Sequence, residues 1–369
     1  MRSFLTLFLL TMALGAAHAA APTRDEVLAT ALPAADRAYK AATTEPTPPA
    51  LASRELFSAA LTYAESGANL DRILPMLELA ARMQDTDPAS RGHGNFRWSW
   101  RDPSVMDYNA VDFCMQGGTL LWRHHRDKLP AATRDRLRAL LELGATGCMK
   151  HRVNPNYTNI ALMNAGNLIF LGELLGKSDV ADEGYRRLNG AAQDIWTNGV
   201  HEYLSPTYYG VDLNDLVMIE ADAQRADGVA VARALLEVFS RQVALTWFEP
   251  NQRLGGPASR DYDYLRGLGM LHVPLWVWGW PIGRTVGGND AVFTLLTRWR
   301  PDAATQALPT TALPRLVRGK FGPGAREAWT YYCESDIALG SAGSCYHNMD
   351  IPLALQFAGG NQQIGRAHV

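Results

Sequence analysis

Apolar residues recur at helical spacing through most of the chain. Leu56, Ala59, Ala60 and Tyr63 fall at i, i+3, i+4 and i+7, one face of a helix, and Gly67 is placed to end it. A second stretch from Leu70 to about Met83 puts Ile73, Leu74, Leu77, Ala80 and Ala81 on one face, and the short connection makes the two helices antiparallel neighbours. The same rhythm predicts helices over Val111–His124 and Thr133–His151, separated by Lys128-Leu129-Pro130. It returns over Asn159–Leu175 and Val180–Trp196, joined by Gly176-Lys177-Ser178-Asp179. A fourth, less regular pair covers Leu213–Gln224 and Val229–Trp247, with further helical stretches at Gly269–Trp278 and Asp290–Trp299.

Strand signals are sparse: few segments alternate with period two, and few carry β-branched runs between turn residues. The fold class expected is therefore all-α. Successive antiparallel pairs can build an open solenoid, a bundle or a closed toroid of inner and outer helices, and the chain lacks a fixed-period repeat that would favour the solenoid. The segments between pairs are long and rich in aromatic and amide residues: Asn95-Phe96-Arg97-Trp98-Ser99-Trp100, Asn154-Pro155-Asn156-Tyr157-Thr158-Asn159, and Tyr203 to Tyr209. Long polar-aromatic loops gathered at one end of a barrel are where a carbohydrate site is built. The expected architecture is an α/α toroid, complete or incomplete, of about six to seven helix pairs with a cleft across its mouth.

Composition and the two ends narrow the partners. The 369 residues are 47% hydrophobic and 20% charged, enough for a large buried core. Lys and Arg total 35 against 37 Asp and Glu, a formal charge of -2, so there is no global basic field to hold nucleic acid or an anionic membrane. Arg2, the apolar run from Phe4 to Leu14 and then Ala17-His18-Ala19 have the form of a signal peptide over residues 1–19. Cleavage is expected after Ala19, giving a periplasmic or secreted chain. The run is about half the ~20 apolar residues a bilayer span needs, so no membrane association is expected after cleavage.

Residues 20–49, rich in Pro, Ala and Thr, read as a linker, and 50–363 as the toroid domain that carries the chemistry. Ile364-Gly365-Arg366-Ala367-His368-Val369 matches one reading frame of a common short-read sequencing adapter. Residues 364–369 are accordingly expected to be read-through behind a gene truncated at Gln363, with the last elements of the fold missing. Secretion permits disulfides among Cys114, Cys148, Cys333 and Cys345; proximity favours Cys333 with Cys345, and four buried thiols stand as the alternative.

Three segments carry candidate chemistry. Gly199 to Leu213 packs His201, Glu202, Tyr203, Tyr208, Tyr209 and Asp212 into a non-periodic stretch broken by Ser205-Pro206. One such Tyr alone reads as packing, but the cluster beside the other loops favours a site. Gly255 to Tyr264 sets Arg260, Asp261, Tyr262, Asp263 and Tyr264 after a Gly-Gly-Pro turn. A surface ion pair at a helix start is one reading; the other has Arg260 offering a planar fork to a substrate carboxylate and Tyr262 or Tyr264 passing a proton. Asn156, Tyr157 and Asn159 open a helix that carries Asn164 and Asn167 on one face, so these amides are either caps and core partners or contacts for a sugar carboxylate or hydroxyl. Trp98 and Trp100, between Arg97 and Arg101, are packing residues or sugar-stacking platforms. The pair His124-His125 diverges on a helix, and His347 with Asp350 is a weak metal pair. No GxSxG, HExxH or P-loop pattern occurs, and neither a metal nor a cofactor is expected.

The runs NPNYTNIALMNAGNLIFLGELLG, GVHEYLSPTYYGVDL and GGPASRDYDYL resemble secreted α/α-toroid polysaccharide lyases acting on uronate polymers, closest to polysaccharide lyase family 38. The resemblance covers about residues 90 to 270, and its most specific part is EYLSPTYY, residues 202 to 209. It implies an acidic polysaccharide partner, glucuronan or alginate-like, cleaved by β-elimination. It also implies that Asn159 and Glu202 sit against the substrate carboxylate and that Tyr209 or Tyr262 moves the proton.

That reaction makes a definite physical demand. Removing the C5 proton of a uronate is difficult until its carboxylate charge is offset, by Asn amides, Arg260 or a protonated Glu202. A phenol, ordinarily near pKa 10, serves as base only beside a cation such as Arg260. Trp98, Trp100, Asn156, Tyr157, Asn164, Tyr208, Asp263 and Tyr264 complete the expected substrate-binding set. Two rival readings stand beside it. One is an inverting glycoside hydrolase using two of Glu202, Asp212, Asp261 and Asp263, which needs carboxyl groups ~6.5–9.5 Å apart across the cleft. The other is a glycan-binding protein without catalysis.

Overall fold

A computed structural model describes residues 21–263, 267–282, 292–293, 295, 299–311 and 313–359. Its helices are α1 (Arg24–Thr43), α2 (Ser53–Ser66), α3 (Ile73–Met83), α4 (Ala110–His125), α5 (Ala131–Lys150), α6 (Thr158–Leu175), α7 (Ser178–Asn198), α8 (Pro206–Asp222), α9 (Ala226–Thr246), α10 (His272–Trp278) and α11 (Ala303–Ala307). The molecule is mainly helical, and the helices form two rows. One row is α2, α4, α6 and α8, each packed on the next; the other contains α1, α3, α5, α7 and α9, with α3 against α1 and α5, and α7 against α9.

The sequence explains which helix joins which row. A helix that is apolar on one stripe lies at a surface, and one that is apolar all round is enclosed. Outer α7 buries Val180, Gly184, Leu188, Ala191 and Ile195 along a single stripe. Inner α6 is buried on every side from Thr158 to Gly172, Asn159, Asn164 and Asn167 included. The α6–α7 pair owes its close approach to two glycines. A Cβ at Gly172 would lie 2.2 Å from the Ala181 nitrogen, and one at Gly184 would lie 2.5 Å from the Ile169 nitrogen. Alanine at either place forces the helices apart, at a cost of about 1–3 kcal/mol. Gly67 takes φ +70 at the end of α2, and its N–H bonds back to Tyr63 and Ala64, as its place in the sequence requires.

Three expectations are corrected. Residues 20–49 are not a linker through their length: α1 occupies 24–43, started by a reciprocal Thr23–Glu26 capping box and buried through Val27, Ala31, Ala35 and Ala38. Its Ala-rich composition had concealed this stripe. The Ser205-Pro206 step does not break a loop but starts α8, because the Ser205 side chain accepts from the Tyr208 N–H and Pro206 fits the first helical turn.

The all-α expectation, thirdly, gives way to a mainly helical fold with two small sheets. β1 (Trp247–Phe248) pairs with β2 (Arg253–Leu254). β3 (Arg315–Lys320), β4 (Ala328–Cys333), β5 (Ile337–Ala342) and β6 (Leu353–Phe357) form an antiparallel sheet in that order. Trp329, Tyr331 and Cys333 face inward from β4, but Leu316, Tyr332, Leu339 and Leu355 are cross-strand partners on the other face. With apolar residues on both faces, the period-two signal is blurred.

Cys114, Cys148, Cys333 and Cys345 are all free thiols, the first three buried and Cys345 exposed, so the Cys333–Cys345 disulfide is not formed. Cys333 points into the sheet core and donates to the Glu334 carbonyl. Residues 1–19, Tyr264, most of the Asp290–Trp299 segment and residues 364–369 lie outside the described residues. Among the described residues no helix is long and apolar enough to cross a membrane.

Candidate active site

A cleft of about 760 Å³ opens at the ends of the inner helices. The first turns of α2, α4, α6 and α8 all face it, through Arg54, Phe113, Asn159 and Tyr208. This follows from the hairpin connectivity: each outer helix returns the chain, so the inner helices run the same way. Helix starts carry unpaired N–H groups and the positive end of the macrodipole, so the mouth favours anions. Arg37 of α1 and Arg260 add guanidinium groups, while Glu55 and Asp107 contribute two carboxylates to the lining.

The most connected group is Glu202, which is 0% exposed. One of its oxygens accepts from the Asn159 backbone N–H at 3.0 Å and the Asn159 amide at 2.6 Å; the other accepts from Arg260 Nη1 at 2.8 Å. Burial leaves Glu202 above the ordinary carboxylate range, with Asn159 and Arg260 opposing the shift. Every bonding partner is a donor, so the pocket accommodates the carboxylate and offers a proton nowhere to go. Glu202 is therefore not placed to hydrogen-bond a substrate carboxylate as a neutral acid. It orients Asn159 and Arg260, which line the cleft.

Arg260 joins this buried anchor to the phenols. Its Nη2 donates to the Tyr262 hydroxyl at 3.0 Å, and the Tyr262 and Tyr208 hydroxyls are 2.8 Å apart. Its guanidinium lies 4.4 Å from the Tyr208 ring centre and 5.3 Å from that of Tyr157. Burial works against the cation, yet Tyr157, Tyr208 and Glu202 hold it above the ordinary value. Burial, reinforced by the hydrogen bond to Tyr262, pushes Tyr208 well up, with Arg260 opposing. Tyr262 is 42% exposed, the accessible member of the pair.

The backbone of Arg260 takes φ +43, a left-handed conformation costly for a side-chain-bearing residue. Asp350 holds it there. One Asp350 oxygen accepts from the Arg260 N–H at 3.0 Å; the other accepts from the Tyr346 N–H at 2.6 Å and the Tyr203 hydroxyl at 3.1 Å. Ala258 and Ile351 exchange backbone hydrogen bonds beside it. The segment joining β5 to β6 thus aims the guanidinium.

The family model described as Domain of unknown function (DUF8769) matches residues 52–296. The chain belongs to this family. No curated protein and no solved structure matches it. The DUF8769 span contains Asn159, Glu202, Arg260, Tyr208 and Tyr262 together, while α1, Asp350 and the four-stranded sheet lie outside it.

Of the residues singled out from sequence, Asn159, Arg260, Tyr262, Tyr208, Tyr157 and Trp98 line the cleft. Tyr209 does not. It is fully buried between α8 and α9, donates to the Gln242 side chain at 2.6 Å and packs on Phe239. The expectation that Tyr209 moves the proton is corrected by helix geometry, since successive side chains on α8 point about 100° apart. Asn164 is likewise a core residue, donating to Asp112 at 2.8 Å and to the Cys148 carbonyl at 3.1 Å, not a substrate contact. Trp100 is held between Arg82 and Arg97, away from the cleft lining. Asn156 is exposed outside that lining, and its carbonyl accepts from the Tyr346 hydroxyl. Asp263 accepts from the Gly269 N–H and shapes its own loop.

Among Glu202, Asp212, Asp261 and Asp263 none lines the cleft, so the expected hydrolytic pair is not assembled across it. Asp212 is buried with both oxygens unpartnered, and burial followed by the charges of Glu202 and Asp215 pushes it well above the usual range. Among the described residues no three His, Cys, Asp or Glu side chains gather as a metal-ligand set. Sequence reasoning missed Asp350 as a tether and Arg37 and Arg54 as cleft residues. The Arg54 signal was present, as a cation at the start of an apolar-faced helix.

Proposed function

We propose that this protein is a uronate-polysaccharide lyase that cleaves by β-elimination, with Tyr262 as the group that moves the proton. The observation that carries the reading is the contact sequence Glu202–Arg260–Tyr262–Tyr208 at a cleft fed by inner-helix starts. Arg260 and the Asn159 amide offset the charge of the uronate carboxylate, so that electrons released at C5 are stabilised. Tyr262, as a phenolate paired with Arg260, takes the C5 proton. The electron pair forms the C4–C5 double bond as the C4–O4 bond breaks, and the Tyr262–Tyr208 pair returns a proton to O4. Glu202 stays a carboxylate throughout and acts by positioning.

The same proposal takes the two helix rows as part of an α/α toroid with the cleft across its mouth. It places the polymer outside the cytoplasm, met after removal of residues 1–19. The resemblance of EYLSPTYY to polysaccharide lyase family 38 supports it. The test is product chemistry on glucuronan, polymannuronate and polyguluronate. Elimination yields one unsaturated end for every new reducing end; reducing ends without double bonds mean hydrolysis, and neither means binding alone.

A further inference from the structure

The cleft has a second cationic end that the elimination chemistry leaves unused. Arg54, in the first turn of α2, is exposed within the lining, and its guanidinium lies 5.3 Å from the Trp98 ring centre and 5.4 Å from that of Phe113. Trp98 and Phe113 meet edge to face at 5.4 Å, which fixes both rings. Arg54 makes no side-chain hydrogen bond or ion pair with any described residue, even though Glu55 and Asp107 share the lining, so all its N–H donors remain available. This is unlike Arg260, whose guanidinium is engaged by Glu202 and Tyr262.

A path of apolar contacts links the two cations. Phe113 packs on the Met163, Tyr208 and Val211 cluster, and Tyr208 in turn lies under Arg260. A continuous strip from Trp98 through Phe113 and Met163 to Tyr208 therefore runs across the cleft with a guanidinium at each end. A strip of ring and methyl surface suits the C–H faces of pyranose rings. A guanidinium that packs on aromatic rings and keeps its N–H donors unpaired presents a bidentate fork to a carboxylate.

We propose that Arg54, set on Trp98 and Phe113, is a second uronate subsite, so that the cleft reads two carboxylates along one sugar chain and selects polymers that present a uronate at each end of the strip. The inference rests on the reading of the cleft as a uronate site and deepens it. A uronate at each end of the strip pairs both Arg54 and Arg260, two of the three guanidinium groups in the lining, and a chain with a neutral sugar at either end leaves one of them unpaired.

The test separates binding from turnover. Tyr262→Phe, which cannot cycle, is titrated calorimetrically with a uronate tetrasaccharide and a uronate disaccharide, alone and combined with Arg54→Met. Met keeps an unbranched apolar stem over the rings and removes the charge. The expected result is an affinity for the tetrasaccharide about tenfold lower in the double variant, with a shallower salt dependence. Disaccharide affinity is expected to change less than about twofold, which also shows that the cleft remains folded. Equal tetrasaccharide affinities, or equal losses for both ligands, overturn the second subsite. Neither result bears on elimination, which is read separately from the double bonds formed by the parent protein.

Discussion

Among single residues, two neighbouring tyrosines have opposite fates. Tyr208 faces the cleft beside Tyr262, and Tyr209 faces Gln242 in the α8–α9 interface. Tyr262→Phe removes the proposed proton carrier and is expected to lower elimination at least about 100-fold while hardly moving the melting temperature. Tyr209→Phe leaves the Gln242 acceptor unpaired; it is expected to cost about 1 kcal/mol of stability and to spare the rate. Rates and thermal melts of the two variants check this, and a Tyr209→Phe protein that folds but lacks activity contradicts the assignment.

Asp212 makes a separate prediction at this scale. Its folded pKa is raised, so the neutral form is favoured in the folded state. That contribution is complete below the unfolded value of about 3.9 and is lost as pH rises through the folded value. Asp212→Asn is therefore expected to match the parent near pH 4 and to be more stable above it, by about 1–3 kcal/mol. Denaturant curves across that range test it, and a constant difference at every pH contradicts a buried neutral carboxyl.

At the scale of elements, helix periodicity was the most legible signal. Gly67 and the stripes of α3, α5 and α7 read directly, because a surface helix must show a one-sided pattern. The start of α8 was hidden, since a Ser-Pro step interrupts a pattern as readily as it caps one, and with the start went the means of telling which tyrosine faces the cleft. The convergence of Asn159, Glu202 and Arg260 was legible only as three separate polar clusters. Their mutual contacts depend on the α6 start, the α8 entry and a loop tethered from the β5–β6 connection. That tether is testable. Asp350→Ala frees three donors and releases the left-handed backbone at Arg260. A displaced guanidinium is expected to lower the rate about 100-fold, and Asp350→Asn, which keeps one acceptor oxygen, is expected to fall between. Activity of the Ala variant equal to that of the parent contradicts the tether.

At the scale of the whole molecule, two rows of helices create what no single segment announces, a set of inner helix starts at one cleft. The helical hairpins supply position, and the small sheet fixes the loop that carries the cation. Composition gave no sign of a cationic cleft, because a net charge of -2 says nothing about three guanidinium groups, those of Arg37, Arg54 and Arg260, gathered in one place. The sheet itself escaped notice because its outer face is also apolar, and it lies beyond the segments that carry the polar-aromatic clusters.

The proposed function depends on elimination at Tyr262. Its most direct test is near-ultraviolet absorbance during incubation of the purified protein with glucuronan, polymannuronate and polyguluronate, run in parallel with Tyr262→Phe. A rise is expected with at least one polymer from the parent and none from the variant. A parent that shortens any of these chains without a rise in absorbance, or a Tyr262→Phe protein that matches the parent, contradicts it.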